Sequence, residues 1–184
     1  KNGRMLMVGQ CLRFWPEYEY LRRCIAANTH GRLLSLTMTR IGAYASWSAD
    51  GWMCDGKRSG GAILDLHLHD VDWAQNALGS PKALCAAGSH GKTGDIDDVS
   101  ACWQYGGFTV SLRGSWMTQG FTMAFQAFFE NATVNYGVHP EPALHLVKPG
   151  SGKPEKVEVD KGSAYFNEDR YFLDCLVDRV FELR

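Results

Sequence analysis

The feature that most limits the possible folds is a run of short alternating segments after Pro81. In the segment FTVSLRGSW the apolar positions are Phe108, Val110, Leu112 and Trp116, and the polar positions between them are Thr109, Ser111, Arg113 and Ser115. A period of two places alternate side chains on opposite faces of a strand. The pair Gly106-Gly107 just before it is typical of a tight hairpin turn. The pattern therefore predicts antiparallel strands with one buried and one polar face.

Similar reasoning over the whole chain predicts strands at 4–12, 32–42, 82–88, 97–105, 108–117, 121–129, 131–136, 143–148 and 155–160. Helices are predicted from Pro16 towards Gly31, over 61–79 and over 165–182. The expected fold class is α+β: a mixed, mostly antiparallel open sheet with helices on one face. Leu34, Leu36 and Met38 are expected on the buried face, together with Phe108, Val110 and Leu112, under the second and third helices.

Composition excludes several functional classes. The 19 Lys and Arg residues balance 20 Asp and Glu residues to a net charge of −1 without a basic cluster, so nucleic acid and anionic membranes are not expected partners. No apolar run approaches the roughly 18 residues of a membrane span. The 6 cysteines are far apart without a Cys-x-x-Cys pair. They predict reduced, mostly buried thiols and a cytoplasmic protein.

The segment SGGAILDLHLHDVDWAQNALGSP is unusually rich in ionisable side chains. Within eight residues it holds Asp65, His67, His69, Asp70 and Asp72. On a continuous α-helix Asp65, His69, Asp72 and Asn76 share one stripe, whereas His67 and Asp70 point roughly the opposite way. Bulky apolar residues flank the stripe on both sides, which favours a narrow cleft over a broad solvated face.

Three interpretations of this cluster stay open. It is a solvated helix face, a proton-transfer site, or a metal site. His69 one turn from the carboxylate of Asp65 suits proton transfer, because the acid orients the ring and raises its pKa. The metal interpretation uses His67 and His69, but the two rings diverge by about 200° on a helix and converge only on a strand.

The chain resembles the C-terminal substrate domain of the glucose–fructose oxidoreductase/inositol dehydrogenase/MocA family. The resemblance is carried by CLRFWPEY, by the Gly-Gly pair before the Asp-x-x-x-His helix, and by FENATVNYG, in the expected order. It implies an NAD(P)-dependent oxidoreductase of a sugar, inositol or related polyol. His69 would be the acid/base, and Asp65 would bind and orient the substrate. A catalytic Lys in a Glu-Lys-Pro motif would complete the set, from a Rossmann domain that binds NAD or NADP.

Neither Glu-Lys-Pro nor a Gly-x-Gly-x-x-Gly turn after a strand occurs in this chain. The resemblance therefore implies that residues 1–14 are the last strand and linker of a missing dinucleotide-binding domain. Residues 15–184 would be a substrate-binding and oligomerisation domain that is truncated at its C-terminus. This chain alone is expected to be inactive and to bind no cofactor itself.

Three further residues are predicted to bind substrate. They are Arg13, Trp52 and Asp72. Arg13 equally fits a buried ion pair, and Trp52, as a lone tryptophan in a loop, fits the core better than the substrate site. A carbohydrate or polyol substrate and a homo-oligomer formed through the open sheet face are the expected partners. The alternatives are a non-catalytic ligand-binding or assembly domain of the same fold, and a metal-dependent hydrolase that uses His67 and His69.

Overall fold

The alternating segments form strands of one eight-stranded sheet in the computed structural model, which describes residues 4–138, 142–160 and 162–178. The strands are β1 (Leu33–Ile41), β2 (Ala83–His90), β3 (Ile96–Gln104), β4 (Thr109–Ser115), β5 (Thr122–Phe129), β6 (Thr133–Tyr136), β7 (Leu144–Val147) and β8 (Glu155–Val157). Their order is β2-β3-β4-β1-β5-β6-β7-β8. β1 and β4 run parallel, and the other neighbours run antiparallel. The predicted mixed, mostly antiparallel sheet is confirmed.

The helices of the described residues are α1 (Pro16–Ala26), α2 (Gly56–Ser59), α3 (Leu68–Leu78) and α4 (Ala164–Asp178). Two 3₁₀ helices, Cys11–Phe14 and Ala49–Cys54, and a π-helical turn, Ile63–His67, complete the set. The prediction placed α4 on the sheet, but its main contacts are with the 3₁₀ helix Cys11–Phe14. The ring of Phe14 lies 5.4 Å from that of Tyr171. The predicted end of this helix, 179–182, lies outside the described residues.

The core lies between one face of the sheet and the helices α1 and α3. Val110 and Leu112 of β4 are buried there beside Leu36 and Met38 of β1. Aromatic rings join the two layers: Tyr18 of α1 contacts Trp73 of α3 edge-on, with ring centroids 5.7 Å apart. A fully buried aliphatic or aromatic side chain typically contributes about 1.5–3 kcal/mol. On the opposite face Thr37, Thr109 and Ser111 are exposed, as the alternation predicted, but Ser115 at the end of β4 is buried, contrary to that prediction.

Two further expectations about the strands are wrong. Residues 4–10 form neither helix nor strand, and the chain enters a 3₁₀ helix at Cys11. This segment has no neighbouring strand, so its backbone groups find other partners, such as the Glu168 carboxylate that accepts from the Gln10 N–H. In β1, the register shifts between Leu33 and Ser35. As a result Leu33 is buried, at 9% exposed, while Leu34 is 44% exposed.

The cysteines are less buried than the sequence analysis expected. Cys24 and Cys175 are buried and Cys11 and Cys54 are half-buried, but Cys85 and Cys102 are exposed. All six cysteines are free.

No helix in the described part of the chain is long and apolar enough to cross a bilayer.

Candidate functional site

The segment that carries the acidic and histidine cluster begins at two glycines that no other residue could replace without strain. Gly60 and Gly61 have φ of 79° and 66°, a region that glycine favours. A Cβ on Gly61 would also lie 2.7 Å from the carbonyl oxygen of Ile96 in β3. The glycine pair therefore lets the start of this helical segment approach the sheet closely.

The helix that follows is not a uniform α-helix. Leu68 donates its N–H to the carbonyl of Ile63, five residues back, so the turn that holds Asp65 and His67 is π-helical. The α-helical pattern begins only at Leu68, one residue before His69. Such turns are rare and occur frequently at functional sites. The extra residue in the turn changes the angular phase, so the predicted stripe does not continue unchanged from Asp65 to Asp72.

His67 and Asp70, expected on the side opposite the stripe, face the sheet, and both are buried. His67 lies on Gly114 of β4, where an added Cβ would come within 2.7 Å of the His67 Cβ. Asp70 accepts two hydrogen bonds from Arg40 of β1, from Nε at 2.9 Å and from Nη2 at 3.2 Å. Burial raises the pKa of the Asp70 carboxyl, and the guanidinium of Arg40 opposes that shift. This ion pair ties α3 to the centre of the sheet.

The sequence analysis missed both members of this pair, although a signal was present. Arg40 follows Leu36 and Met38 at the inward positions of β1. A charged side chain in that position needs a buried partner of opposite charge. Asp70 precedes the buried Trp73 by one helical turn, so it was the available carboxylate.

Asp65, His69 and Asp72 occupy the half-buried side of the helical segment. Burial raises the pKa of Asp65. The pKa of His69 is lowered, first by burial and then by the charge of Arg40, against an opposing effect of Asp72. The expectation that a neighbouring acid leaves the pKa of His69 raised is therefore wrong in direction. The Nδ1 atom of His69 is buried and has no hydrogen-bond partner among the described residues.

Arg13 and Asp72, predicted as separate substrate contacts, bind each other. The Arg13 Nε donates to Asp72 Oδ2 at 2.8 Å, and its Nη2 donates to Asp72 Oδ1, so the guanidinium forks onto the carboxylate. Arg13 therefore belongs to an ion pair, as one interpretation held, but the pair is half-buried rather than buried. Trp52, in the 3₁₀ helix Ala49–Cys54, is 39% exposed and is therefore not a core residue.

The metal interpretation gains no support from this geometry. Over residues 4–138, 142–160 and 162–178, no group of three His, Cys, Asp or Glu side chains is placed to hold a metal ion. His67 packs on Gly114, whereas His69 lies near Arg40 and Asp72, so the two rings have different neighbours.

Neither α1 nor α2 begins in the way that a dinucleotide cradle does. Such a cradle presents free backbone N–H groups and a positive dipole at a helix N-terminus. Here α1 begins with Pro16, which has no N–H, and α2 is capped by the Asp55 carboxylate, which accepts from the Lys57 N–H.

The fold is an α+β domain whose sheet is covered by helices on one face. The helical segment that begins at Gly60-Gly61 carries an Asp-x-x-x-His pair next to the ion pair of Arg13 and Asp72. The sequence profile of the GFO/IDH/MocA C-terminal domain matches residues 18–135. The chain therefore belongs to the GFO/IDH/MocA family, as the resemblance predicted.

Comparison with known proteins agrees with this assignment. The chain is 25% identical over 196 residues to trans-1,2-dihydrobenzene-1,2-diol dehydrogenase of Macaca fuscata fuscata, covering 95% of this chain and 54% of that protein. UDP-N-acetylglucosamine 3-dehydrogenase from Acidithiobacillus ferrooxidans shares the fold, with a TM-score of 0.75 at 21% identity over 97% of this chain and 55% of its own. Levoglucosan dehydrogenase, solved with NADH and levoglucosan, has a TM-score of 0.77 at 16% identity, covering 94% of this chain and 57% of its own. The chain thus spans about half the length of these proteins.

Proposed function

We propose that this chain is the substrate-binding part of an NAD(P)-dependent oxidoreductase that acts on a ring-borne secondary alcohol. Sugars, inositols and related polyols carry such alcohols, and so does the diol in the name of the macaque relative. The observation that carries the proposal is His69: a half-buried imidazole with lowered pKa and an unpartnered ring nitrogen, on the helix that begins at Gly60-Gly61.

His69 has the properties of a general base. Because burial and Arg40 lower its pKa, the ring is neutral at pH 7 and can accept a proton. When the nicotinamide is bound, it supplies the hydride acceptor, and this chain supplies the route for the hydroxyl proton. In the proposed mechanism the neutral ring takes that proton as the alcohol becomes a carbonyl, and it returns the proton in the reverse direction.

The neighbouring charged groups would orient the substrate. Asp65 lies in the π-helical turn, about one helical turn before His69. It would accept a hydrogen bond from a second substrate hydroxyl. The fork of Arg13 and Asp72 is only half-buried, so either side chain can exchange its partner for a substrate hydroxyl. Trp52, which is partly exposed, would pack against the apolar face of the ring.

The proposal is tested by replacing His69 with Ala in the full-length protein. We expect kcat to fall by about 10²–10⁴-fold, the usual contribution of general-base catalysis. Binding of the nicotinamide cofactor, measured by fluorescence titration, should not change. His67→Ala is the matched control, because His67 lies two residues away but faces the sheet. It should lower stability by about 1–3 kcal/mol and leave kcat of the folded protein within a few-fold.

Two outcomes would contradict the proposal. A crippled His67→Ala enzyme beside a nearly normal His69→Ala enzyme would mean that the assigned side of the helix is wrong. A wild-type protein that binds the ring ligand but never reduces the cofactor would support a non-catalytic ligand-binding domain instead.

We further propose that the open face of the sheet pairs two copies of the protein. Phe128 of β5 is exposed there, on the face that also presents Thr37 of β1 and Ser111 of β4. Covering such a face removes apolar surface from water. Sedimentation at micromolar concentrations should therefore show a dimer or a larger oligomer. Replacement of Phe128 by Lys should shift it towards the monomer, whereas a wild-type protein that stays monomeric would contradict this proposal.

A further inference from the structure

Helix α4 holds the short 3₁₀ helix that carries Arg13, and it does so at both ends of that helix. At the start, the carboxylate of Glu168 accepts a hydrogen bond from the Gln10 N–H. At the end, Asn167 donates its side-chain N–H to the Phe14 carbonyl at 3.4 Å. Arg13 lies between these two contacts, so α4 fixes the place of its backbone.

A single residue, Gln10, links Glu168 to Arg13. Gln10 is the cap residue of the 3₁₀ helix. Its N–H donates to the Glu168 carboxylate, and its carbonyl accepts from the Arg13 N–H at 3.0 Å. The carboxylate also lies tightly against Gly9, where an added Cβ would come within 3.3 Å of both carboxylate oxygens. A shift of the Glu168 carboxylate would therefore move the backbone from which Arg13 reaches Asp72.

This hydrogen bond does not by itself account for a charged side chain at the position of Glu168, which is 9% exposed. A glutamine would accept the same bond from Gln10 without the cost of burying a charge. Burial raises the pKa of Glu168, and the charge of Asp169 adds to that shift, whereas the Gln10 hydrogen bond and the charge of Arg13 lower it.

The influence of the two charges is mutual. The pKa of Arg13 is raised first by its hydrogen bonds to Asp72, and the charges of Asp72 and Glu168 add to that shift against the effect of burial. The guanidinium is thus stabilised by two carboxylates, of which Asp72 comes from α3 and Glu168 from α4. Opposite charges near each other favour the charged form of both groups.

We propose that Glu168 is a positioning residue of the substrate site, which holds Arg13 in place through the Gln10 backbone and through its own negative charge. This inference rests on the proposed role of Arg13 in binding substrate. When a substrate hydroxyl draws the Asp72 carboxylate away from the guanidinium, Glu168 still provides a fixed backbone and a nearby negative charge. The guanidinium then stays in position to donate to the substrate. Glu168 itself touches no reacting atom.

The first experiment labels the arginines of the full-length protein with phenylglyoxal, without substrate, and follows each labelled peptide by mass spectrometry. Phenylglyoxal reacts with the neutral guanidine, so the loss of a nearby negative charge speeds the reaction. Glu168→Gln keeps an acceptor for the Gln10 N–H but loses the charge, and we expect it to speed the labelling of Arg13 severalfold. Arg22, which forks onto Glu19 in α1, is the internal control and should react at the wild-type rate.

The second experiment measures steady-state kinetics with glucose, myo-inositol and trans-cyclohexane-1,2-diol as probe alcohols. Glu168→Gln should raise KM severalfold and leave kcat nearly unchanged, because only the binding of substrate is weakened. In the Arg13→Ala background the same change should have no further effect on KM, since Glu168 acts through Arg13. Asp169→Asn is the matched control: it removes a charge from the next, exposed position of α4 and should leave both readouts as in wild type.

Several patterns would overturn the inference. It fails if Glu168→Gln leaves the labelling of Arg13 at the wild-type rate, and this result decides even where none of the three probes is turned over. It also fails if Glu168→Gln raises KM equally with and without Arg13, or lowers kcat alone. An unchanged KM in Arg13→Ala, beside labelling that does depend on Glu168, would instead contradict the proposed substrate role of Arg13, and the inference would fall with that role.

Discussion

Helix α3 contributes two aspartates, Asp70 and Asp72, and each forms an ion pair with an arginine from another part of the chain. The surroundings of the two pairs differ sharply. In the pair of Arg40 and Asp70 the side chains are 6% and 0% exposed, whereas in the pair of Arg13 and Asp72 they are 25% and 16% exposed. Both guanidinium groups fork onto their carboxylate. The chemistry of the pairs is thus the same, and only the environment differs.

The difference in burial suggests a structural role for one pair and a substrate-binding role for the other. A buried charge cannot regain water, so each member of the Arg40–Asp70 pair depends on the other and the pair fixes the helix on the sheet. The Arg13–Asp72 pair is close enough to solvent for either partner to release the other. His69 lies between these influences: Arg40 lowers its pKa and Asp72 raises it.

The largest effect is expected from breaking the buried pair. Arg40→Met leaves the buried Asp70 carboxyl without a partner, which typically costs about 3–5 kcal/mol of unfolding free energy. The double variant Arg40→Met with Asp70→Leu removes both charges and should recover most of that loss. Urea denaturation measures both values. If the single variant lost under about 1 kcal/mol, the pair would not anchor the helix as described.

A smaller effect on stability is expected from breaking the half-buried pair of Arg13 and Asp72. Arg13→Ala should change the free energy of unfolding by about 1 kcal/mol or less, because the pair is partly solvated. In the full-length protein it should raise KM about tenfold, the equivalent of one charge-assisted hydrogen bond to substrate. Arg13→Lys keeps the charge but loses the two-pronged hydrogen bonding, so its KM should lie between those of wild type and Arg13→Ala. An unchanged KM in Arg13→Ala would remove Arg13 from the substrate site.

The smallest effect is a shift of the pH–rate profile. Asp72 raises the pKa of His69, so Asp72→Asn should lower that pKa further. The neutral, proton-accepting form then persists to lower pH, and the acidic limb of kcat/KM should move to lower pH. Asp98→Asn is the matched control, because Asp98 pairs with Arg113 in a strand pair of the sheet, away from α3. A limb that moves to higher pH, or does not move, would mean that Asp72 does not act on His69.

Sequence patterns predicted most of the fold and only part of the site. Period-two alternation located the strands because each strand has one buried and one exposed face. It failed at Leu34, where an irregularity of the pairing with β5 reverses the faces. The segment 4–12 was misassigned because an apolar sequence does not reveal whether a partner strand exists.

The candidate site shows the same limit. Asp65, His69 and Asp72 were proposed from their spacing, and helical geometry placed His67 and Asp70 on the opposite side, without showing that this side is buried. The π-helical turn was not predictable, since it depends on how the Gly60-Gly61 entry meets β3. The direction of the His69 pKa shift also failed. It is set by burial and by Arg40, which lies 29 positions away in the sequence and comes close only through the sheet.

By itself, therefore, the sequence determined the class of fold, the helix that bears the histidine, and the family, because each depends on local periodicity and short motifs. The tertiary structure alone decided which arginine meets which carboxylate and which side of the helix faces the sheet. These contacts join residues distant in sequence, and their free energies depend on how far each group is removed from water. No local pattern records that burial.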